Sequence, residues 1–428
     1  MKSAILITLL LLSSITINAK EITVIIIGNM MTSGDQEDFG QTALYLTRSA
    51  EKKGEEIIIG APFKMHFING KNESLKYHHL SKEKHIKSLL RKARKNLEPG
   101  DTVKLLVYGH GVPARHESSY NKTSIQLGSE RIRTDDLKEI IDDNLPKDIG
   151  LKIIAPYCFS GSIHQITQNR KNSCSAAASD YRTPSKGEQN CFFGECTAIR
   201  SYGMDIGKMF YKNPNISLAK AHEQVGKKDY INERRGQLSS IDYLQKIFKV
   251  GPYKMDHNWF TQIFTGAPDE TKEQNLLARH CEENKKITDF NQQELNELTT
   301  NISDIIDHLN FEDNFHESVP EFIRDQYYTL LEDYQEGVPE LIETLNLSHG
   351  MAVSSKAYIE EEEKSGKIVD WSERQLANFI ENEARQKTNE LLKHYYYQDQ
   401  IKLINKLYIR GNKKQIRNFE DLIRCENN

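Results

Sequence analysis

Four short apolar runs constrain this chain more than any other feature: Glu21-Ile-Thr-Val-Ile-Ile-Ile27, Glu56-Ile-Ile-Ile59, Thr102-Val-Lys-Leu-Leu-Val107 and Leu151-Lys-Ile-Ile-Ala155. They are rich in β-branched residues and nearly unbroken by polar ones, the pattern of strands buried on both faces of a sheet. Between them lie stretches with helical punctuation. Ser33 to Lys53 has Ser33 or Asp35 as N-cap and Gly54 as stop. Ser81 to Leu97 ends at Pro99-Gly100, and Thr134 to about Asn144 carries acidic residues in its first turn, where the helix dipole favours them. Thr123 to Gly128 reads as a short hairpin or edge, Ser160 to about Arg170 as a helix, and Cys174 to Ala178 as a further strand. Residues 63–80 and Asp180 to Cys196 read as loops, and 204–211 and 218–230 as helices. Such alternation predicts an α/β fold with a mostly parallel sheet and helices on both faces.

Composition changes after Gly266-Ala-Pro268. Beyond it, glycine and proline are few and strand-like runs are absent. Val319–Tyr334, Val338–Leu345 and Ser372–Ile409 are amphipathic at helical spacing, with Pro320 and Pro339 near helix starts, where proline is tolerated. Residues 269–428 are therefore expected to form an all-α C-terminal domain. The first nineteen residues combine Lys2, an apolar stretch from Ala4 to Leu12 and Ala19 as a cleavage residue, the pattern of a signal peptide. Export to a secreted or periplasmic location follows. No later run approaches the roughly twenty apolar residues of a membrane helix. The 57 basic and 61 acidic side chains are interspersed, so no nucleic-acid partner is expected. Six cysteines in an exported chain allow disulfides. The expected pairing is Cys281–Cys425, with a second bridge among Cys174, Cys191 and Cys196.

Two of the apolar runs end in reactive side chains. One leads to Tyr108-Gly-His110-Gly111, the other to Pro156-Tyr-Cys158-Phe-Ser-Gly-Ser162. Open α/β sheets place their sites at the carboxyl ends of strands, so a thiol and an imidazole are expected side by side. A thiolate is a strong nucleophile, and an imidazole beside it takes or balances the proton. The tetrahedral oxyanion needs N–H donors, for which the amides of Gly111 and Cys158 are the candidates. No zinc spacing joins His78, His79, His85, His110 or His116, and no phosphate loop is present, so neither metal nor cofactor is expected.

His110 precedes Cys158 by 48 residues, close to the separation of about 50 in caspases. The two turns resemble those of the caspase–legumain group (clan CD) of cysteine peptidases, which includes legumain, the glycosylphosphatidylinositol transamidase, caspases, metacaspases and gingipains. The resemblance covers residues 21–230 by element order, with its specific residues confined to the two turns. It implies a caspase–hemoglobinase-like catalytic domain over residues 20–268, with His110 and Cys158 as the dyad. Placement of the helical domain is similar to that of the pro-domain capping legumain, which implies a cis-acting cap cut away near residues 265–290; a binding or docking domain is the alternative. It departs from the group in two places. Pro156 stands where many members carry an acidic or amide residue of the specificity pocket, and Gly34-Asp35 stands where legumain carries Arg-His. Asp35, Asp180 and Glu195 are candidates for an acidic pocket that accepts Arg or Lys.

The sequence thus points to an exported cysteine endopeptidase acting on polypeptides through a thioester. A transamidase or ligase with the same dyad, and an inactive caspase-like binding protein, are the competing readings.

Overall fold

The structure is a computed structural model that describes residues 19–29, 33–62, 66–67, 73–74, 76–113, 123–127, 130–179, 188–192, 195–226, 237–249, 315–335, 358–359, 361–362, 364–365, 397 and 400–428. The chain divides into two units, one of residues 1–221 with 424–428 and one of residues 222–423.

The first unit is α/β. Its strands are β1 (Glu21–Ile27), β2 (Glu56–Ala61), β3 (His66–Phe67), β4 (Glu73–Ser74), β5 (His78–His79), β6 (Thr102–Tyr108), β7 (Gly111–Val112), β8 (Ser124–Leu127), β9 (Glu130–Arg133), β10 (Gly150–Ala155), β11 (Ser173–Ala177), β12 (Glu188–Phe192) and β13 (Glu195–Arg200). Its longer helices are α1 (Ser33–Lys53), α2 (Glu83–Arg94) and α3 (Thr134–Asn144). The one-turn α4 (His164–Thr167) follows, then α5 (Tyr202–Lys212) and the first residues of α6 (Leu218–Gly226). The central sheet runs β11–β10–β6–β1–β2–β5, every neighbouring pair parallel. Ile22, Val24, Ile25, Ile26, Leu105, Leu106, Ile153 and Ile154 are all buried, as unbroken apolar strands require when helices cover both faces. From β1 through α1 the chain steps to β2. From β5 through α2 it steps back to β6, the opposite sense along the sheet. Right-handed crossovers therefore set α1 and α2 on opposite faces. Accordingly α1 packs on α5, and α2 packs on α3.

α1 spans the residues expected of it, and its end has a physical cause. Gly54 has φ +68°. The Glu55 N–H bonds the Ala50 carbonyl at 3.0 Å and the Gly54 N–H bonds Glu51 at 3.0 Å. That is the paired closure of a left-handed C-terminal cap. At the amino edge of the sheet, Glu21 receives Lys104 at 2.5 Å, Lys53 at 3.1 Å and Lys152 at 3.5 Å. Burial pushes the Glu21 carboxyl up, but the three ammonium groups outweigh it and hold it well below the usual range.

Four expectations are corrected. The segment after Ser160 is a 3₁₀ turn, Ser160–Ile163, followed by the single turn of α4. Its serines bond sideways to other elements, as described below. The stretch from Asp180 to Cys196 is not all loop: Glu188–Phe192 pairs antiparallel with Glu195–Arg200, and Cys191 lies opposite Cys196 in that register. β3, β4 and β5 likewise interrupt the loop expected over 63–80. In both places the strands are too short or too polar to show alternation. Finally, Cys425 pairs with Cys174 and not with Cys281, which lies outside the described residues. Cys174 is the second residue of β11, and its Cα is 5.7 Å from that of Cys425, within bridging range. Both cysteines are buried in the first unit. Their separation of 251 residues left no trace in spacing.

The second unit contains β14 (Gln237–Leu238), α7 (Ser239–Phe248), α8 (Glu321–Gln335), a helical stretch over 400–410 and most of α9 (Lys413–Asn427). Leu244, Val319, Ile323, Ile401, Leu407 and Phe419 form its core. Pro320 accepts the Ile323 and Arg324 N–H groups, so it sits at a helix start as expected. The helices expected over 338–345 and most of 372–409 lie outside the described residues, as do the proposed cut region and residues 1–18. Among the described residues, no helix is long and apolar enough to cross a membrane.

Candidate active site

Because β1, β6 and β10 run the same way, their carboxyl ends share one edge. Ile27 pairs with Tyr108, and Ile154 with Leu106. Gly28 follows β1, Gly109-His110-Gly111 follows β6, and Tyr157-Cys158 follows β10. The turns there are packed backbone to backbone. A Cβ on Gly111 would come within 1.7 Å of the Cys158 carbonyl oxygen, and one on Gly28 would approach the Gln126 carbonyl at 2.3 Å. Both positions exclude any side chain. The contact between Gly111 and Cys158 brings together the two turns that carry the expected dyad.

Cys158 is a half-buried thiol outside the disulfide. The residue after it, Phe159, has φ 60°, a left-handed conformation that costs a bulky side chain energy and recurs at functional turns. Beyond Phe159, polar bonds hold the loop on two sides. The Ser162 hydroxyl bonds Thr134 at 2.8 Å and also meets Thr123, while Thr123 and Thr134 lie 3.1 Å apart. Opposite them, the Ser179 N–H donates to the Ser160 hydroxyl at 3.2 Å. All five side chains are buried, where a satisfied polar network fixes one arrangement. His164, six residues after Cys158, is also buried and bonds Ser175 through Nδ1 at 2.8 Å. It is part of this support.

His110 is partly exposed, and its ring meets that of Phe39 at 5.7 Å between centroids and 62° between planes. Its Nε2 lies 3.1 Å from Asp35 Oδ2. A carboxylate on one ring nitrogen holds the proton there and leaves the lone pair on the other, Nδ1. Asp35, expected as a specificity carboxylate, is thus placed against the imidazole. Of its two companions, Asp180 lies outside the described residues, and of Glu195 only the strand position in β13 is described.

The two expected oxyanion donors can be placed. Gly111 lies opposite Ile125, and the Gln126 N–H donates to the His110 carbonyl at 2.9 Å. In an antiparallel ladder this makes Gly111 a member of a non-hydrogen-bonded pair, so its N–H points away from β8. The Cys158 amide belongs to the same strained turn as its thiol.

Behind His110 lies a group that sequence reading missed. Asp38, buried on α1, accepts the Tyr108 hydroxyl at 2.7 Å and the Ser201 hydroxyl at 2.5 Å. Burial, chiefly, and the nearby Asp35 push its carboxyl up to about 6, against these bonds. The available signal was spacing: Asp35 and Asp38 share a helix face, and Tyr108 precedes His110 by two residues.

No family model matches this chain, and no curated protein matches it. Among solved structures, the chain is similar to protein GSU0716 from Geobacter sulfurreducens, at 11% identity and a TM-score of 0.36, over 51% of this chain and 92% of that one. That likeness is too slight to inform fold or function.

Proposed function

We propose that this protein is an exported cysteine endopeptidase of the caspase–legumain type. Cys158 is its nucleophile and His110 its general base and acid. The observation that carries the reading is the seating of Gly111 on the Cys158 carbonyl, which joins the His and Cys turns at the carboxyl edge of a parallel sheet. In this reading the Cys158 sulfur attacks the peptide carbonyl and its proton passes to His110 Nδ1. The oxyanion is held by the Gly111 and Cys158 amides. Collapse to the thioester breaks the C–N bond, and His110 protonates the departing amine. Water, deprotonated by His110, then releases the acid and restores the thiol. Asp35 keeps the imidazole in the tautomer this sequence needs.

The helical C-terminal domain is proposed as a cap on this site in cis. Since Cys425 is bonded to Cys174, one cut near residues 265–290 would not release it. Release needs a second cut or reduction of the bridge.

A panel of acyloxymethyl ketones with different P1 residues tests the assignment, with the site of labelling read by mass spectrometry. Labelling at Cys158 that is lost in Cys158→Ala, and slowed about 10²–10⁴-fold in His110→Ala, is the expected result. Failure of every probe to label, in both the full chain and a chain nicked in that region, rejects the peptidase.

A further inference from the structure

The Asp38 cluster joins three elements directly behind His110. On α1, Asp35, Asp38 and Phe39 occupy one face. Asp35 meets His110, Asp38 meets Tyr108, and the Phe39 ring lies 4.3 Å from the Tyr108 ring and 5.7 Å from that of His110. From α5, Ser201 caps the helix by accepting the Met204 N–H at 3.0 Å while its hydroxyl reaches Asp38. Gly203 makes room for the Tyr108 ring, which a Cβ there would meet at 2.5 Å. Tyr108 is therefore gripped by Phe39, Gly203 and Asp38, two residues before the histidine.

We propose that Asp38 is a positioning residue for the dyad: as a carboxylate it draws the Tyr108 and Ser201 hydroxyls onto itself and fixes the turn that carries His110, and on protonation it loosens that grip. This rests on the reading of His110 and Cys158 as a dyad. The chemistry is that of acceptors. A carboxylate offers both oxygens to the two donors, whereas a neutral acid must spend one oxygen as a donor. Asn is a permanent copy of the weaker state, because its NH₂ cannot accept.

The ionisable groups around Asp38 are Asp35 on its own helix, Tyr108 at the end of β6, His110 in the turn after it, and Cys158, whose charge bears on Tyr108. Asp205 lies in the first turn of α5. β13 also packs on α1 and carries Glu195 and Arg200, whose side chains are outside the described residues. Asp35 is the charge that disfavours ionisation of Asp38. Burial chiefly, and the Asp35 charge beside it, push the Asp38 carboxyl up to about 6, within a range where enzymes work.

The test measures the rate of Cys158 alkylation by iodoacetamide from pH 5 to 8 in the full chain, for wild type, Asp38→Asn, Asp38→Glu, Tyr108→Phe and His110→Ala. Each protein is first checked for folding by thermal melting. The expected result is a wild-type to Asp38→Asn rate ratio near one at pH 5 that rises about tenfold through pH 6. Tyr108→Phe should flatten that rise and Asp38→Glu should restore part of it. A purely structural Asp38 would change the melting point and leave the ratio independent of pH. A flat ratio, with His110→Ala still lowering the rate, overturns the role of Asp38 and spares the dyad. If His110→Ala leaves the rate unchanged, the dyad falls and this proposal with it.

Discussion

At the scale of residues, the site depends on glycines that no side chain can replace. In Gly111→Ala the new methyl would overlap the Cys158 carbonyl oxygen, 1.7 Å away, and both partners are backbone. Overpacking of this kind costs about 1–3 kcal/mol, and here the turns can relieve it only by parting. Gly111→Ala is therefore expected to lower the melting temperature and to slow Cys158 labelling by about 10²-fold or more, the scale of a lost oxyanion donor. Gly54→Ala, by contrast, meets no atom within 4 Å but requires φ +68°. It should cost about 1 kcal/mol and leave labelling unchanged. Thermal melting and labelling kinetics on the two variants separate the active turn from an ordinary helix end.

Among elements, the strands and α1 were legible because the apolar runs and glycine stops carry local information. Both reactive turns were legible for the same reason, since each follows its strand immediately. Support for the turns was not legible. The bonds of Ser162 to Thr123 and Thr134, and of Asp38 to Tyr108 and Ser201, join residues from 28 to 163 positions apart. Serines and an aspartate in a sequence do not show whom they will meet. The expected helix after Ser160 failed likewise, because serines that could cap a helix are engaged elsewhere. The Glu21 cluster is another such meeting. Its folded carboxyl lies below the unfolded value of 4.5, so its contribution is present above about pH 4.5 and is lost as pH falls below it. Glu21→Gln leaves Lys104 and Lys152 without their carboxylate and should cost about 3–5 kcal/mol at pH 7. The deficit should shrink as the wild type is taken to lower pH. Urea unfolding at pH 7 and pH 3.5 checks both parts, and an equal deficit at the two values would contradict the assignment.

For the molecule as a whole, the Cys174–Cys425 bridge matters most, and spacing alone pointed elsewhere for Cys425. The first unit takes back residues 424–428 after the chain has passed through the second, so residues 222–423 form a loop tied at both ends. Limited proteolysis within residues 250–314 is expected to yield two fragments that migrate together on a non-reducing gel and separate on a reducing one. Separation without reductant would refute the tether. Whether this sheet edge carries a working His–Cys dyad is decided by a peptide-library cleavage profile of the wild type, His110→Ala and Cys158→Ser, each as the intact chain and as the nicked, bridge-retained form. A working dyad gives defined cleavage sites in at least one wild-type form, cleavage slower by about 10²–10⁴-fold in His110→Ala and none in Cys158→Ser. Cleavage that survives Cys158→Ser, or its absence from both folded wild-type forms, would contradict it.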